Sequence, residues 1–588
     1  MFYLLKNLKK GDYFKLAICL GLIVLQVWLE LKMPDYTKEL STIVNTSTKD
    51  MSAVLRNGGL MLACAGGSLV GAILCNIIIS NVASGFSRNL REKLFYTIED
   101  FSMAEMKKFN SASLITRTTN DVVQVQNFMA MGIQLLFKAP IMAIWAICKI
   151  STTDVSLTLA VLISVAIITI SIGTLVGINL PRFKKIQKLT DKTNAITQES
   201  VSGVRVIRAF NAENFEEEKF EKTNKELTNN HLFTSRTMGL LSPVITLVMN
   251  GLNLAIYFIG AILVNNIEYS GSTIEMAKAR AVEIGNLTAF TQQANLVVTA
   301  FMMLVFVFLI LPRVLVSAAR IKEVLKTKPS IFGGSINSED GDGSVEFKDV
   351  SFKFDDSSEE EMALENISFN AQKGKTTAII GATGSGKTTL INLINRAYDV
   401  TSGAVLVDGE DVKNYSLKAL NSKVGLASQR AVLFKGTIKE NVAFGQKEVN
   451  EEKIIKALKI AQADFVFDLE RGIESEVSQG GTNFSGGQKQ RLSIARALYK
   501  NPEILIFDDT FSALDYKTDM LARKAIKKEF KHATIIIVAQ RIGTIKDADN
   551  IIVLDNGKIV GQGTHEKLLE SCPLYKEIAL SQLKQEEL

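Results

Sequence analysis

The sequence predicts a membrane α-helical domain of six spans fused to an α/β domain built around a phosphate-binding P-loop. Three observations carry that reading. The 588-residue chain is 47% hydrophobic yet 22% charged, so apolar and charged residues must be segregated if both are to be solvated. They are: long apolar runs fill the chain to about Leu311, and from about Gly341 it reads as a soluble α/β protein. In that second region the apolar run Thr376–Ile380 leads directly into GATGSGKTT. The length exceeds one ordinary core, and the composition divides the chain into residues 1–330 (membrane domain), 331–344 (linker) and 345–588 (nucleotide domain).

Six apolar stretches are drawn at Leu16–Leu31, Leu60–Val82, Phe128–Ile150, Val155–Ile178, Met238–Val264 and Leu287–Leu311. Each approaches or exceeds the roughly 20 residues a helix needs to cross ~30 Å of hydrocarbon. The first is interrupted by Gln26 and Glu30, and an interfacial helix is its alternative reading. It is followed by Glu30, Lys32 and Pro34 rather than small residues, so it is expected to stay in the membrane instead of being cleaved.

Short basic loops resist translocation. Lys6, Lys9, Lys10 and Lys15 precede the first span, Arg88, Arg91 and Lys93 follow the second, Arg182, Lys184 and Lys185 the fourth, and Arg313, Arg320 and Lys322 the sixth. The opposite loops mix both signs. Both termini and the nucleotide domain are therefore expected on the cytoplasmic face of the membrane. The net charge of +6 sits beside apolar runs rather than on one soluble face, which argues against nucleic acid as a partner. The five cysteines show no metal-ligand spacing and read as packing residues.

About 45 residues separate the second and third stretches and about 60 the fourth and fifth. Structureless loops of that size are uncommon, so helices continuing past the bilayer are expected, with docking segments at Phe109–Asp121 and Val206–Phe220. Asn250, Asn253, Gln292, Gln293, Asn295 and Lys138 fall inside spans. Such groups must find partners or line a wet cavity, and interhelical hydrogen bonding is the commoner role. Phe301, Met302, Met303 and Phe306 suit an adaptable apolar pocket for a hydrophobic small molecule, although such residues more often simply face lipid or packing. Ser270–Asn286 makes the last outer loop long.

In the second region Val345–Phe347 opens a strand, and Gly381, Ala382, Thr383, Gly384, Ser385, Gly386, Lys387, Thr388 and Thr389 form the phosphate loop. The glycines permit a tight turn whose N–H groups cradle phosphates, Lys387 reaches the outer phosphates, and Thr388 can hold Mg2+. Leu390, Leu393 and Ile394 then repeat at helical spacing. Ile504–Phe507 is an apolar strand ending in Asp508 and Asp509, where a carboxylate can stand beside a phosphate-bound metal. In NFSGGQKQR, Ser485 can cap a helix whose N–H groups face an anion.

The order and spacing of these motifs resemble the ATP-binding-cassette exporters of half-transporter type, over nearly the whole chain. That resemblance implies ATP and Mg2+ as cofactors and gives roles to further residues. Phe354, in VSFKF, is the aromatic that stacks on adenine, where the family usually has Tyr; stacking survives the change but a phenolic hydrogen bond does not. Gln429 is the glutamine that senses metal and γ-phosphate, so Thr388, Gln429 and Asp508 are the candidate metal residues. Ser485, Gly486, Gly487 and Gln488 are the signature loop, which completes the ATP site of a second half-transporter, and Ser512–Asp515 is the D-loop. Ser113–Asp121 and Val204–Phe220 resemble the intracellular segments that dock on the ATPase domains.

Two catalytic positions depart from the family pattern. Asp509 stands where Glu usually orients the attacking water, one methylene short. Gln540, in IIIVAQR, stands where His is usual and cannot become a cation. Together they predict a degenerate site that binds ATP well and hydrolyses it poorly, within a heterodimer whose partner supplies the competent residues. A non-transporting regulatory subunit and a slow homodimer are the alternatives. Multidrug export is the expected activity, with lipid or peptide export as alternatives. An importer is disfavoured by the fused domains, and the position of the first span argues against a preceding peptidase-like domain.

Overall fold

In a computed structural model of the chain, residues 2–46, 50–151, 153–266, 273–338, 341–354 and 362–582 are described. They form two compact units: Met1–Thr97 with Ala112–Lys326, and Ile98–Ser111 with Thr327–Leu588.

The first unit is built on six long helical spans: Lys10–Asn45, Met51–Glu99, Ser111–Ile150, Val155–Ser202, Glu213–Asn265 and Ile274–Lys326. The 49 residues of the second helix rise about 74 Å, more than twice the ~30 Å of a hydrocarbon core. Only 17% to 29% of each span's most apolar window is buried inside the chain, so most of that apolar surface is turned toward lipid or another protein. The first span is a full helix of 36 residues. Cys19, Ile23, Val27 and Leu31 are buried at four-residue intervals, forming one face that packs with the third and sixth spans.

Four of the six polar span residues find interhelical partners. Lys138 pairs with Glu30 at 2.9 Å, Gln292 meets Thr37 at 3.3 Å, and Asn295 donates to Asn253 at 3.4 Å. Where a long outer loop is expected, the chain is helical from Thr273 onward; residues 270–272 lie outside the described residues. Met276 to Ala281 (MAKARA) is made of strong helix formers, which extend the sixth helix at its N-terminal end at little cost.

The first docking segment is displaced from its expected position. The stretch that groups with the nucleotide unit is Ile98–Ser111, which contains the helix Met103–Phe109 with a Ser102/Glu105 capping box and is tied by Ser102 Oγ to Ser330 Oγ at 2.9 Å. Downstream, Arg117 reaches Glu323 and the Arg320 carbonyl at 2.8 and 2.9 Å, while Asp121 accepts from Ser317 at 2.8 Å. These charges satisfy the sixth helix of the membrane unit. The second segment is the short helix Val204–Ala209, which buries no residue; Val206, Phe210 and Phe215 around it are more than 60% exposed.

The second unit contains a six-stranded sheet in the order Lys558–Gly563, Asn550–Asp555, Thr376–Ile380, Thr534–Val538, Ile504–Asp508, Val424–Ala427. All pairings are parallel except that of the edge strand Lys558–Gly563. Every residue of the strands Thr376–Ile380, Ile504–Asp508 and Thr534–Val538 is buried, as continuous apolar runs covered on both faces require. Helices Gly486–Tyr499 and Glu451–Ile460 help cover one face. Helix Lys387–Ile394 lies on the other, with an antiparallel sheet that includes Val345–Phe352 and Leu364–Ala371.

This layering brings the carboxyl ends of adjacent parallel strands together, which is where such sheets bind ligands. The turn into the helix depends on Gly386: its φ is +99°, and an added Cβ would stand 2.8 Å from Leu364 Cδ2 and 2.9 Å from the Ala363 carbonyl oxygen. Gly386→Ala is therefore expected to destabilise the nucleotide unit by about 1–3 kcal/mol. Calorimetry of the full chain should show its transition falling by several degrees, at ~2–4 °C per kcal/mol for a domain of this size. An unchanged midpoint would contradict the strain argument.

Candidate nucleotide site

The strand Thr376–Ile380 delivers the chain into the loop 381–386, and the helix Lys387–Ile394 leaves it. Leu390, Ile391, Leu393 and Ile394 are buried, which anchors the helix and holds its first turn at the loop. Gly384 has φ +89°, so two left-handed glycines bend the loop tightly enough to turn backbone N–H groups toward one point. Lys387 Nζ donates to the carbonyls of Gly381 at 2.8 Å and Ala382 at 2.6 Å, with Ser385 Oγ at 3.4 Å. The lysine thus spans its own loop. Burial pushes its ammonium below the usual range, opposed by the charges of Asp509 and Asp508.

Asp508 ends its strand at 5% exposure. Thr388 Oγ1 lies 3.3 and 3.2 Å from its two oxygens. Burial raises the Asp508 carboxyl above the ordinary carboxylate value, opposed by the Thr388 hydrogen bond and increased by Asp509. A hydroxyl beside a carboxylate is a hard-oxygen pair of the kind that would suit Mg2+. Among the described residues no group of three or more His, Cys, Asp or Glu could hold a metal alone, and such a shared site needs none.

Asp509 follows in the left-handed region, φ +46°, which Asp adopts more readily than most residues. Its Oδ2 accepts from Gln540 Nε2 at 2.9 Å and from Gln429 Nε2 at 3.4 Å. One cleft of about 210 Å³ is lined by Thr383, Gly384, Gly386, Lys387, Thr388 and Thr389 together with Gln429, Asp508, Asp509 and Gln540. Ten sequence-predicted residues from four separate stretches therefore meet in one place. Its chemistry is one cation, a cradle of backbone donors and two carboxylates, suited to a polyphosphate carrying a divalent metal.

The remaining candidates lie elsewhere. Phe354 packs edge-on against Phe352 and Tyr398, with centroids 4.8 and 5.4 Å away, and Lys107 Nζ stands 5.2 Å over its ring. It lines a separate cleft of about 730 Å³. Ser485 caps the 14-residue helix Gly486–Tyr499: its Oγ accepts from Gln488 N at 3.3 Å, and Gln488 Oε1 accepts from Ser485 N at 2.8 Å. Ser485 and Gly486 are exposed, and Gly487 packs close to Ala513, whose carbonyl oxygen an added Cβ would meet at 3.1 Å. This helix N-terminus lies outside the phosphate cleft of its own chain.

Several supporting residues escaped sequence reasoning. Gln490, 5% exposed, donates to the Gln429 carbonyl at 2.5 Å and so ties the signature helix to the glutamine loop; its place inside NFSGGQKQR was the available signal. Tyr398 and Lys107 at Phe354 come from distant stretches. Gln582 binds the Gln540 carbonyl and the Ile542 N–H, both at 2.8 Å, and no spacing announces it.

A six-span helical unit and a P-loop ATPase-type unit on one polypeptide define a membrane transporter of the nucleotide-driven class. The ABC transporter transmembrane region model matches residues 16–301 and the ABC transporter model residues 364–512. An ABC transporter ATP-binding protein of Mycobacterium bovis is 40% identical over 91% of this chain and 90% of its own length. The ATP-dependent lipid A-core flippase of Aromatoleum aromaticum is 30% identical over 88% of this chain and 84% of its own. A solved bacterial Atm1-family ABC exporter with ATP bound shares the fold, with a TM-score of 0.78 at 23% identity, covering 97% of this chain and 99% of that one. The chain belongs to the ABC transporter family, as an exporter with fused transmembrane and ATP-binding domains. It is a multi-pass membrane protein whose ATPase domain drives export.

Proposed function

We propose that this chain is one half of a heterodimeric exporter of hydrophobic or amphipathic compounds, with multidrug export favoured over lipid or peptide export, and that its own ATP site is degenerate. Residues 1–330 form the membrane domain, 331–344 the linker and 345–588 the nucleotide domain, with both termini cytoplasmic. Lys387 and the loop 381–389 grip the phosphates of ATP, Phe354 takes the adenine, and Thr388, Asp508 and Gln429 hold the Mg2+ that shields phosphate charge. Ser485, Gly486, Gly487 and Gln488 complete the ATP site of the second half-transporter.

The observation that carries this reading is the Gln540–Asp509 contact. Both departures from the family pattern sit in the phosphate cleft, and they satisfy each other at 2.9 Å. Asp509 is short of the reach of Glu, and Gln540 adds no charge where the terminal phosphate would develop it. The exposed Val206, Phe210 and Phe215 and the exposed N-terminus of the signature helix support a second chain.

The chain purified alone is expected to bind ATP but to turn it over at least about a hundredfold more slowly than the assembled pair, given what positioned acid–base groups contribute. ATPase assays on both preparations test this, and vigorous turnover by the lone chain would refute it. In the assembled pair, Ser485→Ala is expected to lower turnover about tenfold or more by loosening the helix N-terminus that faces the anion. Photolabelling of this chain by ATP should stay unchanged. Loss of labelling with intact turnover would place Ser485 at the wrong site.

A further inference from the structure

Charged side chains inside apolar spans are costly and serve either packing or a ligand. Glu30 of the first span and Lys138 of the third form such a pair, both side chains less than 20% exposed. The arrangement of donors around Glu30 is uneven. Oε1 accepts from Lys138 Nζ at 2.9 Å, Gln26 Nε2 at 3.0 Å and Ser68 Oγ at 3.2 Å, so groups on three spans hold one oxygen. Oε2 accepts from none of the described residues and is not sealed off. Beside it Gln26, 6% exposed, has its Oε1 buried without a hydrogen-bond partner.

An unmet buried acceptor is expensive, and Gln26 Oε1 is one, whereas Glu30 Oε2 is open and takes no donor from the described residues. What remains here is two acceptors, Glu30 Oε2 and Gln26 Oε1, next to a carboxylate immobilised by its other oxygen. Two acceptors and a negative charge complement a cation that carries N–H donors. Lys138 already presents such a cation to Glu30 from within the chain, and its charge opposes a second one nearby.

We propose that Glu30 and Gln26 form a substrate subsite for the protonated amine of an amphipathic compound, with Lys138 as the resident cation that competes for Glu30. The proposal rests on the exporter reading and names the head group that this part of the membrane domain recognises.

The test uses the full transporter, with whatever half-transporter co-purifies, in lipid nanodiscs. Three probes share one alkyl chain: dodecyldimethylamine (protonated, one N–H), dodecyltrimethylammonium (charged, no N–H) and dodecanol (neutral). Binding is read from the fluorescence of Trp28, two residues from Glu30, with Trp145→Phe removing the other tryptophan. The wild type should bind the amine roughly tenfold or more tightly than the other two, as a charge-assisted hydrogen bond implies. Glu30→Gln should erase that preference and leave dodecanol unchanged, and Lys138→Met should tighten amine binding.

Equal binding of all three probes by the wild type would overturn the proposal, since water then satisfies the spare acceptors. So would a Glu30→Gln loss that is equal for all three, the mark of a packing pair. If either single variant fails to fold, the neutral double variant Glu30→Gln/Lys138→Met decides: it must fold and bind without amine preference, and a retained preference sinks the subsite. Proteoliposome transport separates the two claims. Amine preference without ATP-dependent movement of any probe rejects the exporter reading alone, whereas movement of all probes without preference rejects the subsite alone.

Discussion

Lys387→Ala is expected to weaken ATP binding by this chain about a hundredfold or more. The ammonium bridges its own loop through the Gly381 and Ala382 carbonyls at 2.8 and 2.6 Å, and it is the only cation lining the phosphate cleft among the described residues. Losing one partner of a desolvated charge pair costs about 2–5 kcal/mol, and about 2.8 kcal/mol is already a factor of a hundred. The two carboxylates, left facing the phosphates, add repulsion. Equilibrium binding of a fluorescent ATP analogue to the full chain measures the effect. An affinity within threefold of wild type would mean that the backbone cradle, rather than the lysine, holds the nucleotide.

The second large effect is a gain. Asp509→Glu with Gln540→His is expected to raise ATP hydrolysis at this chain's site by roughly a hundredfold, the lower range for a positioned general base joined by charge stabilisation. Glu extends the carboxylate by one methylene beyond the point where Gln540 now holds Oδ2, and His can supply a cation. Each single change should yield far less than half of that gain on a logarithmic scale, because groups that act as a unit are not additive. The left-handed backbone at residue 509 (φ +46°) suits Asp better than Glu, so a small loss of stability should accompany the gain. Nucleotide trapped on this chain, in a pair whose other site is silenced, gives the rate. A wild-type site that already hydrolyses as fast as the double variant would end the degenerate-site reading.

The phosphate loop was legible because its chemistry is local. Gly381 to Thr389 are contiguous, and Thr376–Ile380 before them and Leu390–Ile394 after them carry strand and helix patterns in a few residues each. Asp508 was legible for the same reason, as the end of a buried strand. That Gln540 and Gln429 both donate to Asp509 was not, because 31 and 80 residues separate them and only the parallel sheet brings those strand ends together. The first docking segment was misplaced because Arg117 and Asp121 look like surface charges in sequence, whereas their partners lie about 200 residues away on the sixth helix. Glu30 illustrates the same limit: in sequence it weakened the first span, and in the fold it is held from three spans.

By itself the sequence determined the division into six spans and a nucleotide-binding unit and the phosphate loop, since each follows from hydropathy or residue identity along a continuous stretch, whereas the reading of Asp509 and Gln540 as substituted positions came from the family resemblance. Only the tertiary structure decided which distant groups meet: Gln540 with Asp509, Gln582 with the Gln540 carbonyl and the Ile542 N–H, Lys107 with Phe354, and Glu30 with Lys138. Hydrogen bonds and ion pairs act over about 3 Å, and no spacing along the chain encodes such a distance until helices and strands have been packed.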